Sequence, residues 1–247
     1  MAWTLVEGPW PTPVAIARCD ALTAEAAGQR AADLTLLGCR AVLMAMTGHY
    51  DQAARNSLAE ARAGLGEQQL HEIAAYLALL DAVAETLAGD PTAAERAVLD
   101  AEAIVSESGD RWYLSLIYVD LAHAILAQHR LADAAEAVAR IETLPAPCDA
   151  EWVIKRHTAR ALLAAQAGEH ERGLEDARAA VVAAEKTALI VCCANAHRTL
   201  AELLWATGRT HAAATAVRRA LALDEAKANA AAAAATRQRF PRLLASM

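Results

Sequence analysis

A short pattern recurs five times along this chain, at intervals of 39 to 41 residues. Its anchor is a glycine in four copies and a histidine in one: Gly48, Gly89, His129, Gly168 and Gly208. Seven residues before each anchor lies an alanine: Ala41, Ala82, Ala122, Ala161 and Ala201. Five residues after each anchor lies another small residue: Ala53, Ala94, Ala134, Gly173 and Ala213. A fixed period of this length is typical of stacked helical hairpins, because one hairpin cannot bury its own apolar face.

The offsets within the pattern predict how each hairpin is built. The alanine before the anchor lies near the middle of the first helix, and the small residue after it lies one turn into the second. Two helices approach closely only where their side chains are short, so these paired positions predict the helix crossing. The anchor glycine ends the first helix, because glycine adopts a left-handed conformation at little steric cost. His129, between the polar Gln128 and Arg130, is interpreted as a degenerate copy.

Composition supports a wholly helical fold. The chain is 56% hydrophobic but only 4% aromatic, and about a quarter of it is alanine, the best helix former. The prediction is therefore an all-α fold: a right-handed superhelix of antiparallel helix hairpins, with about five hairpins plus terminal helices. The net charge of −7 argues against direct nucleic-acid binding. From Arg198 onward basic residues outnumber acidic ones, which predicts a docking surface for an acidic neighbour.

The breaks between apolar segments divide the chain into twelve expected helices. An entry segment covers 1–12, a single repeat domain 13–240 and a tail 241–247, and a lone amphipathic helix covers 13–27. The expected hairpins cover 29–65, 68–107, 110–143, 149–186 and 187–224. They are separated by Gly64-Leu65-Gly66, by Gly109-Asp110 and by Leu144-Pro145-Ala146-Pro147. A capping helix over 228–240 is stopped by Pro241.

Neither a targeting signal nor a membrane span is expected. The amino end lacks a basic region followed by a sufficiently long apolar stretch, which a signal peptide requires. The most apolar windows are interrupted by charged residues before they reach about 18 residues. Five cysteines without framework spacing suit free, buried thiols in a reducing cytoplasm.

Two segments carry a resemblance to a repeat family. The run Ala206-Thr207-Gly208-Arg209-Thr210-His211-Ala212-Ala213, followed by Val217 and Ala220-Leu221, resembles the tetratricopeptide signature. Gly48-His49-Tyr50-Asp51-Gln52-Ala53 resembles its central turn even more closely. The period exceeds the usual length of about 34 residues, so we expect longer helices, similar to those of MalT-type bacterial regulators. HEAT-type repeats share the longer period and stay an alternative, although the glycine–aromatic–alanine turn is not theirs.

A narrower resemblance concerns the two ends of the chain. The opening Gly8-Pro9-Trp10-Pro11-Thr12-Pro13 with Ala15-Ile16-Ala17-Arg18-Cys19 resembles the entry to a carboxy-terminal repeat region in large bacterial signalling proteins. Those proteins join an adenylate/guanylate cyclase or a LuxR-type transcription-activator domain to an AAA-type or STAND-type ATPase. The ending from Ala220 to Asn229 is similar to their last repeat and cap. The resemblance implies a cytoplasmic sensor or scaffold arm that acts in signal transduction.

Motifs that bind nucleotides or build active sites are missing from the sequence. There is no G-x-x-x-x-G-K-[ST] phosphate loop, no G-x-S-x-G elbow and no H-E-x-x-H zinc motif. Gly64-Leu65-Gly66 lacks the third glycine of a dinucleotide site. We therefore predict that the isolated chain is not an enzyme and has no cofactor, and that any cyclase or ATPase would lie in other domains.

Three residue pairs are candidates for reactive or metal-binding groups: Cys192 with Cys193, His157 with His197, and Asp120 with His123. Adjacent cysteines point to different sides of a helix, so buried thiols are favoured over a metal or redox pair. The two histidines occupy equivalent positions eleven residues before their anchors, which favours a packing role. The aspartate and histidine can pair across one helical turn, but a catalytic dyad needs a third group and a cleft. No metal site is predicted.

The repeat geometry also predicts a binding surface. In tetratricopeptide arrays the first helices line the concave side, at positions about 13, 10, 6 and 3 residues before the anchor. In the first three repeats these offsets give Thr35, Val42, Tyr76, Leu79, Val83, Thr86, Leu116, Val119, His123 and Leu126. In the last two they give Lys155, Thr158, Leu162, Asn195, Arg198, Glu202 and Trp205. The surface is thus apolar early and polar late, a combination that suits a helix or an extended peptide. The alternative is that these residues simply face solvent or an adjacent turn of the superhelix.

Two functions are compatible with this surface. The first is an interaction or regulatory scaffold that binds a protein, a peptide or a linked ATPase, cyclase or DNA-binding domain. The second is a small-molecule sensor. The candidate binding residues are Tyr76, His123, Lys155, Asn195, Arg198, Glu202 and Trp205. Lys155 and Arg198 would hold a carboxylate or phosphate and Trp205 would supply an apolar wall, unless Arg198 and Glu202 merely pair with each other.

Overall fold

The computed structural model describes residues 2–26, 28–106, 110–145 and 149–245. These residues form α-helices and contain no strand, which confirms the all-α prediction. The helices are α1 (Ala2–Glu7), α2 (Thr12–Glu25), α3 (Arg30–Met46), α4 (Gln52–Glu67), α5 (His71–Ala88), α6 (Pro91–Ser106) and α7 (Arg111–Ala127). They continue as α8 (Leu131–Glu142), α9 (Ala150–Gln166), α10 (His170–Ala184), α11 (Ile190–Ala206), α12 (Thr210–Lys227), α13 (Ala230–Arg239) and α14 (Pro241–Ala245).

Helices α3 to α12 form five hairpins, and the anchor residues lie in their turns. All five anchors are left-handed, with φ of 85° at Gly48, 83° at Gly89, 59° at His129, 80° at Gly168 and 74° at Gly208. The backbone N–H of the residue after each anchor donates a hydrogen bond to the carbonyl oxygen four residues before the anchor, as Arg209 does to Leu204 at 2.8 Å and Arg130 to Ile125 at 3.4 Å. These bonds satisfy helix-end carbonyls. The fold is a tetratricopeptide-like helical repeat, and His129 keeps the turn without being a glycine.

Small residues allow the two helices of a hairpin to meet. A Cβ atom added to Gly173 on α10 would lie 2.9 Å from the carbonyl oxygen of Ala161 and 3.2 Å from Cβ of Ala164, both on α9. The small residues at the same offset in the second, third and fifth hairpins are fully buried: Ala94, Ala134 and Ala213. Because the helices leave no room for a larger side chain there, the period of the sequence reflects the helix spacing.

The first hairpin departs from this register. Ala53 is exposed, not buried at a helix crossing, so its assignment to the crossing is corrected. Its turn is longer: α4 begins at Gln52, four residues after Gly48, whereas the second helices of the other hairpins begin two residues after their anchors. Asp51 caps α4, since its Oδ1 accepts a hydrogen bond from the backbone N–H of Ala54 at 3.0 Å.

Burial along α4 shows which residue replaces Ala53. The buried residues Leu58, Ala61 and Leu65 lie forty positions before Val98, Ala101 and Val105, which are buried on α6. The same shift places Ala54 at the position of Ala94. Ala54 is half-buried and packs against the core of the first hairpin. The buried face of α4 is therefore shifted by one residue relative to its anchor glycine, and the small residue at the helix crossing is Ala54 instead of Ala53.

The predicted break at Gly64-Leu65-Gly66 is also wrong. All three residues lie within α4, which ends at Glu67. Gly64 serves packing instead of termination, because a Cβ atom there would lie 2.7 Å from Cδ1 of Leu34. The chain turns at Gln69, which has a left-handed φ of 60°.

The terminal segments contain more helix than the sequence predicts. The segment 1–12 includes α1, and the segment 241–247 includes α14, whose first residue is Pro241. Proline ends the preceding helix but is well suited to the first position of the next one. The break at Gly109-Asp110 and the one from Leu144 to Pro147 lie partly outside the described residues. Asp110 is described and caps α7, because its Oδ1 accepts a hydrogen bond from the backbone N–H of Trp112 at 2.9 Å.

The two ends of the repeat array contact each other. Helix α13 packs against α3 and α5, and α1 packs against α3 and α11. The Oγ1 atom of Thr12, which is fully buried, donates a hydrogen bond of 2.8 Å to the carbonyl oxygen of Lys227. The array is therefore closed by its own terminal helices. None of the described helices combines the length and apolar character that a membrane crossing requires.

Candidate functional site

A concave cavity of about 430 Å³ lies among α5, α7, α9, α11 and α13. Most positions that the repeat offsets predict to face the concave side line it: Leu79, Val83, Thr86, His123, Leu126, Lys155, Thr158, Leu162, Asn195, Arg198 and Glu202. The remaining predicted positions lie elsewhere. Val42 is fully buried in the core of the first hairpin, and the Oγ1 atom of Thr35 donates to the carbonyl of Ala31.

A second, smaller cavity of about 70 Å³ adjoins the first and contains three other predicted residues, Tyr76, Leu116 and Val119. The two cavities share Leu79, Val83, Asp120 and Lys155 among their lining residues. The hydroxyl group of Tyr76 is buried and has no hydrogen-bond partner among the described residues. Tyr76 thus belongs to the smaller cavity, separately from the polar residues of α11.

Trp205 does not line either cavity, which corrects its assignment to the binding surface. Its ring packs edge-to-face on Phe240, with ring centroids 5.9 Å apart and an interplanar angle of 61°. Phe240 lies between α13 and α14, the helices that fold back over the last hairpin. The Trp205 ring thus contacts the terminal helices of the chain, at the place where the repeat offsets predict a contact with a ligand.

The wall of the concave cavity has two kinds of surface. Helices α5, α7 and α9 contribute most of the aliphatic side chains, namely Leu79, Val83, Leu87, Leu126, Ile154 and Leu162. Polar side chains come from α11 and the residues after α12 and also from α5, α7 and α9, namely Asn195, Arg198, Thr199, Glu202, Asn229, Arg239, Thr86, Asp120, His123, Lys155, Thr158 and Gln166. Apolar walls with a few convergent polar groups are typical of ligand sites.

Arg198 already has a carboxylate partner within the chain. Its Nη1 lies 2.5 Å from Oδ2 of Asp224, and its Nη2 donates a short hydrogen bond to Oδ1 of Asn195. Burial lowers the pKa of Arg198, and the attraction of Asp224 partly offsets this. Glu202 pairs instead with Arg239 at 2.6 Å. The alternative pairing of Arg198 with Glu202 is therefore not observed.

Lys155 also has carboxylate partners within the chain. Its Nζ lies 2.7 Å from Oε1 of Glu151 and 3.0 Å from Oδ1 of Asp120. Burial lowers the pKa of Lys155, but the two carboxylates more than offset this effect and hold it well above its usual value. Neither Lys155 nor Arg198 is an unpaired cation awaiting a carboxylate or phosphate. The cavity is polar but internally charge-compensated.

The pair that the spacing allowed between Asp120 and His123 does not form, because Asp120 contacts Lys155. Nε2 of His123 lies 2.9 Å from the carbonyl oxygen of Lys155 and 3.0 Å from Oγ1 of Thr158. A carbonyl oxygen can only accept, so Nε2 carries a hydrogen. Burial lowers the pKa of His123, which favours the neutral ring. His123 thus joins α7 to α9 and is not half of an acid–base dyad.

The other two residue pairs singled out in the sequence, the histidines and the adjacent cysteines, do not form a joint site in the structure. Nδ1 of His157 lies 2.8 Å from Oδ1 of Asp176. The imidazole of the buried His197 makes no hydrogen bond to a described residue, but its Nε2 lies 3.6 Å from Oε1 of Glu185. Neither histidine lines the concave cavity. Cys192 and Cys193 are free and buried, as are Cys19 and Cys39, while Cys148 lies outside the described residues.

The sequence did not predict that the chain itself fills part of the concave side. Helix α1 lies against the smaller cavity, where Trp3 and Glu7 form part of the lining. Nε1 of Trp3 donates a 3.1 Å hydrogen bond to Oε2 of Glu151. Glu7 is almost fully buried, and Sγ of Cys192 donates to its Oε2 at 3.6 Å. The only sequence signal was an acidic residue in an otherwise apolar opening segment.

Glu7, Glu151 and Cys192 have potential ligand atoms within 4.8 Å of one another. Burial, with the nearby Glu151, raises the pKa of Glu7 to about 7. Burial also holds the pKa of the Cys192 thiol well above its usual value. Both oxygens of Glu151 already accept hydrogen bonds or salt bridges, from Trp3 and Lys155. A metal would have to displace these donors, so the absence of a metal site stays our prediction.

Comparison with known proteins gives little further information. No protein-family model matches the sequence, and neither does any curated protein. Among solved structures, this chain is similar to the crystal structure of the apo form of RapI, with a TM-score of 0.45 and 13% sequence identity. The similarity covers 87% of this chain but only 62% of the RapI chain. At that distance it carries no functional argument, and the fold assignment rests on the helices described above.

Proposed function

We propose that this chain is a non-catalytic regulatory scaffold that binds a peptide segment of a partner protein in its concave cavity. The observation that supports this proposal is the composition of the cavity wall. The first helices of four successive hairpins, together with α13, surround a single space of about 430 Å³. A wall that combines aliphatic and polar side chains suits a peptide, whose side chains need apolar contacts and whose backbone needs hydrogen bonds.

The charges of the cavity indicate what kind of peptide would fit. Arg198 is neutralised by Asp224, and Lys155 is neutralised by Glu151 and Asp120. A strongly charged peptide would have to break these pairs, so we expect a ligand with little net charge. Two asparagines offer carboxamide groups that can both donate and accept: Asn195 on α11 and Asn229 before α13.

The resemblance of the repeats to those of bacterial signalling proteins supports a further part of the proposal. In such proteins a helical repeat region accompanies an ATPase, a cyclase or a DNA-binding domain. We propose the same arrangement here, in which binding in the cavity changes the activity of a linked or associated domain. This coupling requires that the ligand bind one state of the scaffold better than another.

A small-molecule sensor is the second candidate function. It is favoured by the closure of the array, because the packing of α13 against α3 and α5 limits access along the concave side. The cavity volume also lies within the range of about 300–1,000 Å³ that is typical of small-molecule sites. Native mass spectrometry of the purified chain distinguishes the candidates, since a retained metabolite adds a discrete small mass that denaturation removes.

A matched pair of threonines tests the peptide proposal. Thr86 on α5 lines the cavity, whereas Thr215 on α12 does not, and both are exposed helical residues whose Oγ1 donates to the carbonyl four residues earlier. Peptides would be selected from a displayed random library on the unmodified chain, then synthesised with a fluorescent label. We expect Thr86→Trp to weaken binding about tenfold or more and Thr215→Trp to leave it unchanged. If Thr86→Trp changes the affinity of no selected peptide, the cavity is not the peptide site.

A further inference from the structure

One end of the concave side is occupied by the chain's own helix α1. The residues that surround this helix are called the α1 berth here, and include Tyr76, Glu151, Cys192 and Lys227. They come from four different helices, α5, α9, α11 and α12, which are far apart along the sequence. Helix α1 therefore lies where a bound peptide would lie in a repeat array of this kind.

The backbone of α1 is held by a single lysine. Nζ of Lys227 donates hydrogen bonds to the carbonyl oxygens of Leu5 at 2.8 Å and Gly8 at 2.9 Å. Carbonyls at the end of a helix have no partner within the helix, and the helix dipole makes them favourable to a cation. Because both hydrogen bonds of the Lys227 ammonium go to backbone atoms, they could form with the end of any short helix placed in the berth.

The side chains of α1 supply the specific contacts. Leu5 and Val6 are buried in the core of the first hairpin, with exposed fractions of 4% and 0%. Trp3 hydrogen-bonds Glu151, and Glu7 accepts from Cys192. An indole, two adjacent aliphatic residues and a carboxyl group thus form the recognition pattern of the berth. Each of these contacts is of a kind that separate peptides make with their receptors.

Two features indicate that α1 can leave the berth. A helix of six residues is not stable on its own, so α1 keeps its shape only through these contacts. It also fills the berth incompletely, since the smaller cavity of about 70 Å³ remains beside Glu7 and the Tyr76 hydroxyl has no partner among the described residues. A segment that reaches Tyr76 with a polar group would make one contact that α1 does not make.

We propose that the α1 berth is an exchangeable peptide-binding site, filled by α1 within the chain and open to a partner's short helix with an indole, two adjacent aliphatic residues and a carboxyl group. This inference rests on the proposed use of the concave side for peptide binding. It adds a second site, adjacent to the open cavity, with a defined ligand pattern. A partner that binds there displaces α1 and joins the two neighbouring cavities into one continuous surface.

Thiol labelling of the whole chain measures whether α1 leaves the berth. Sγ of Cys192 contacts Glu7 of α1, and the side chain is 2% exposed although it also borders the open cavity; Cys193 lies near Glu185 and Arg219 instead. Unfolding of α11 therefore exposes both thiols, whereas release of α1 uncovers only Cys192. N-ethylmaleimide would be applied in short pulses and each cysteine followed by peptide mass mapping. We expect Lys227→Met, which removes both backbone hydrogen bonds, to accelerate labelling of Cys192 about tenfold or more without changing Cys193.

Binding in trans is tested with a fluorescent synthetic peptide that has the sequence of residues 1–9. In the Leu5→Asp variant of the whole chain, α1 cannot dock and the berth is open, so we expect this variant to bind the peptide about tenfold or more tightly than the unmodified chain. Adding Lys227→Met to it should abolish the gain. Circular dichroism and unchanged Cys193 labelling establish that the variants are folded.

The proposal is overturned if a folded Lys227→Met chain labels Cys192 no faster than the unmodified chain does. It is equally overturned if a folded Leu5→Asp chain does not bind the peptide. Should Leu5→Asp not fold, the labelling of Lys227→Met alone decides the question. Thr86→Trp separates this site from the open cavity, because it should not change binding of the α1 peptide even if it abolishes binding in the cavity.

Discussion

Lys227, the last residue of α12, donates a hydrogen bond from its buried ammonium group to the carbonyl oxygen of Leu5, which lies 222 residues earlier. This contact joins the beginning of the described chain to the end of its last hairpin. Burial lowers the pKa of Lys227 to about 8, while the nearby Glu7 opposes the change. A repeat array whose ends meet behaves less like a linear stack of independent repeats, because its terminal hairpins share contacts.

Ionisation of Glu7 should make stability depend on pH. Its pKa is about 7 in the folded chain and near 4.5 when unfolded, so between these values the folded chain binds more protons. Stability from this group is therefore fully present below about pH 4.5 and is lost as pH rises to about 7. The Glu7→Gln chain has no such group, so its free energy of unfolding relative to that of the unmodified chain should increase by roughly 1–3 kcal/mol between pH 5 and pH 7.5. Urea unfolding at both pH values measures this, and an identical pH dependence in the two chains would contradict it.

The corrected register of the first hairpin makes opposite predictions for two alanines. Ala213 is fully buried on α12, and Ala53 is exposed on α4. Replacing Ala213 by leucine should cost about 1–3 kcal/mol of stability, because the helices have no room for a larger side chain. The same change at Ala53 should stay within about 0.5 kcal/mol, as is usual for exposed positions. Equal losses in chemical unfolding would show that the register is misassigned.

Two helical glycines should respond with opposite sign to alanine. A Cβ atom at Gly173 would lie 2.9 Å from the carbonyl oxygen of Ala161, so Gly173→Ala should destabilise the chain by about 1–3 kcal/mol. Gly66 is helical and has no atom within 4 Å of an added Cβ, so Gly66→Ala should stabilise it by roughly 0.5–1 kcal/mol. Thermal unfolding of the two variants is the measurement. A stabilised Gly173→Ala chain would mean that α9 and α10 separate easily.

His129 occupies a turn position that glycine occupies in the other four repeats. Its φ of 59° is left-handed, a conformation that costs a residue with a side chain roughly 1–2 kcal/mol. Glycine avoids this cost but loses more conformational freedom on folding, so we expect His129→Gly to stabilise the chain by only about 0.5–1 kcal/mol. A shift of the urea midpoint with an unchanged slope would be the signature. A loss of stability would indicate that the imidazole makes a favourable contact.

Added zinc should leave the melting temperature unchanged. Glu7, Glu151 and Cys192 are close enough to act as ligands, but Glu151 is occupied by Lys155 and Trp3. A ligand specific for the folded state raises the melting temperature, so differential scanning fluorimetry with and without zinc is a direct measurement. The variant Cys192→Ala is the control: an increase that disappears in this variant would establish a metal site in the berth.

The sequence predicted those features of the fold that depend on residues close together in the chain, namely the turns and the helix crossings. The left-handed turns at Gly48 and Gly208 follow from the conformational freedom of glycine, and the buried Ala134 and Gly173 follow from the closeness of paired helices. The offsets also gave part of the lining of the concave cavity, such as Val83, Lys155 and Asn195, because a helix presents the same face at a fixed distance from its end.

Other features depended on contacts that no local pattern contains. One extra residue in the first turn moved the small position from Ala53 to Ala54, and packing against Leu34 kept Gly64 inside a helix. Trp205 faces the concave side by its offset, but its ring packs edge-to-face on Phe240 and lines neither cavity. The pairing of Arg198 with Asp224 replaced the expected choice between a ligand and Glu202, since the side chain reached a buried carboxylate on the next helix.

The sequence by itself therefore determined the helices of the repeats, most of their turns and the hairpin spacing, because these follow from local sterics and from a repeating pattern of small residues. Only the tertiary structure decided how the ends of the array meet, where α1 lies and which charges are matched in the cavity. Those outcomes depend on contacts such as Lys227 with Leu5 and Trp3 with Glu151, each made once between residues far apart in the chain. Periodicity describes what repeats, and a contact that occurs once has no period from which it could be predicted.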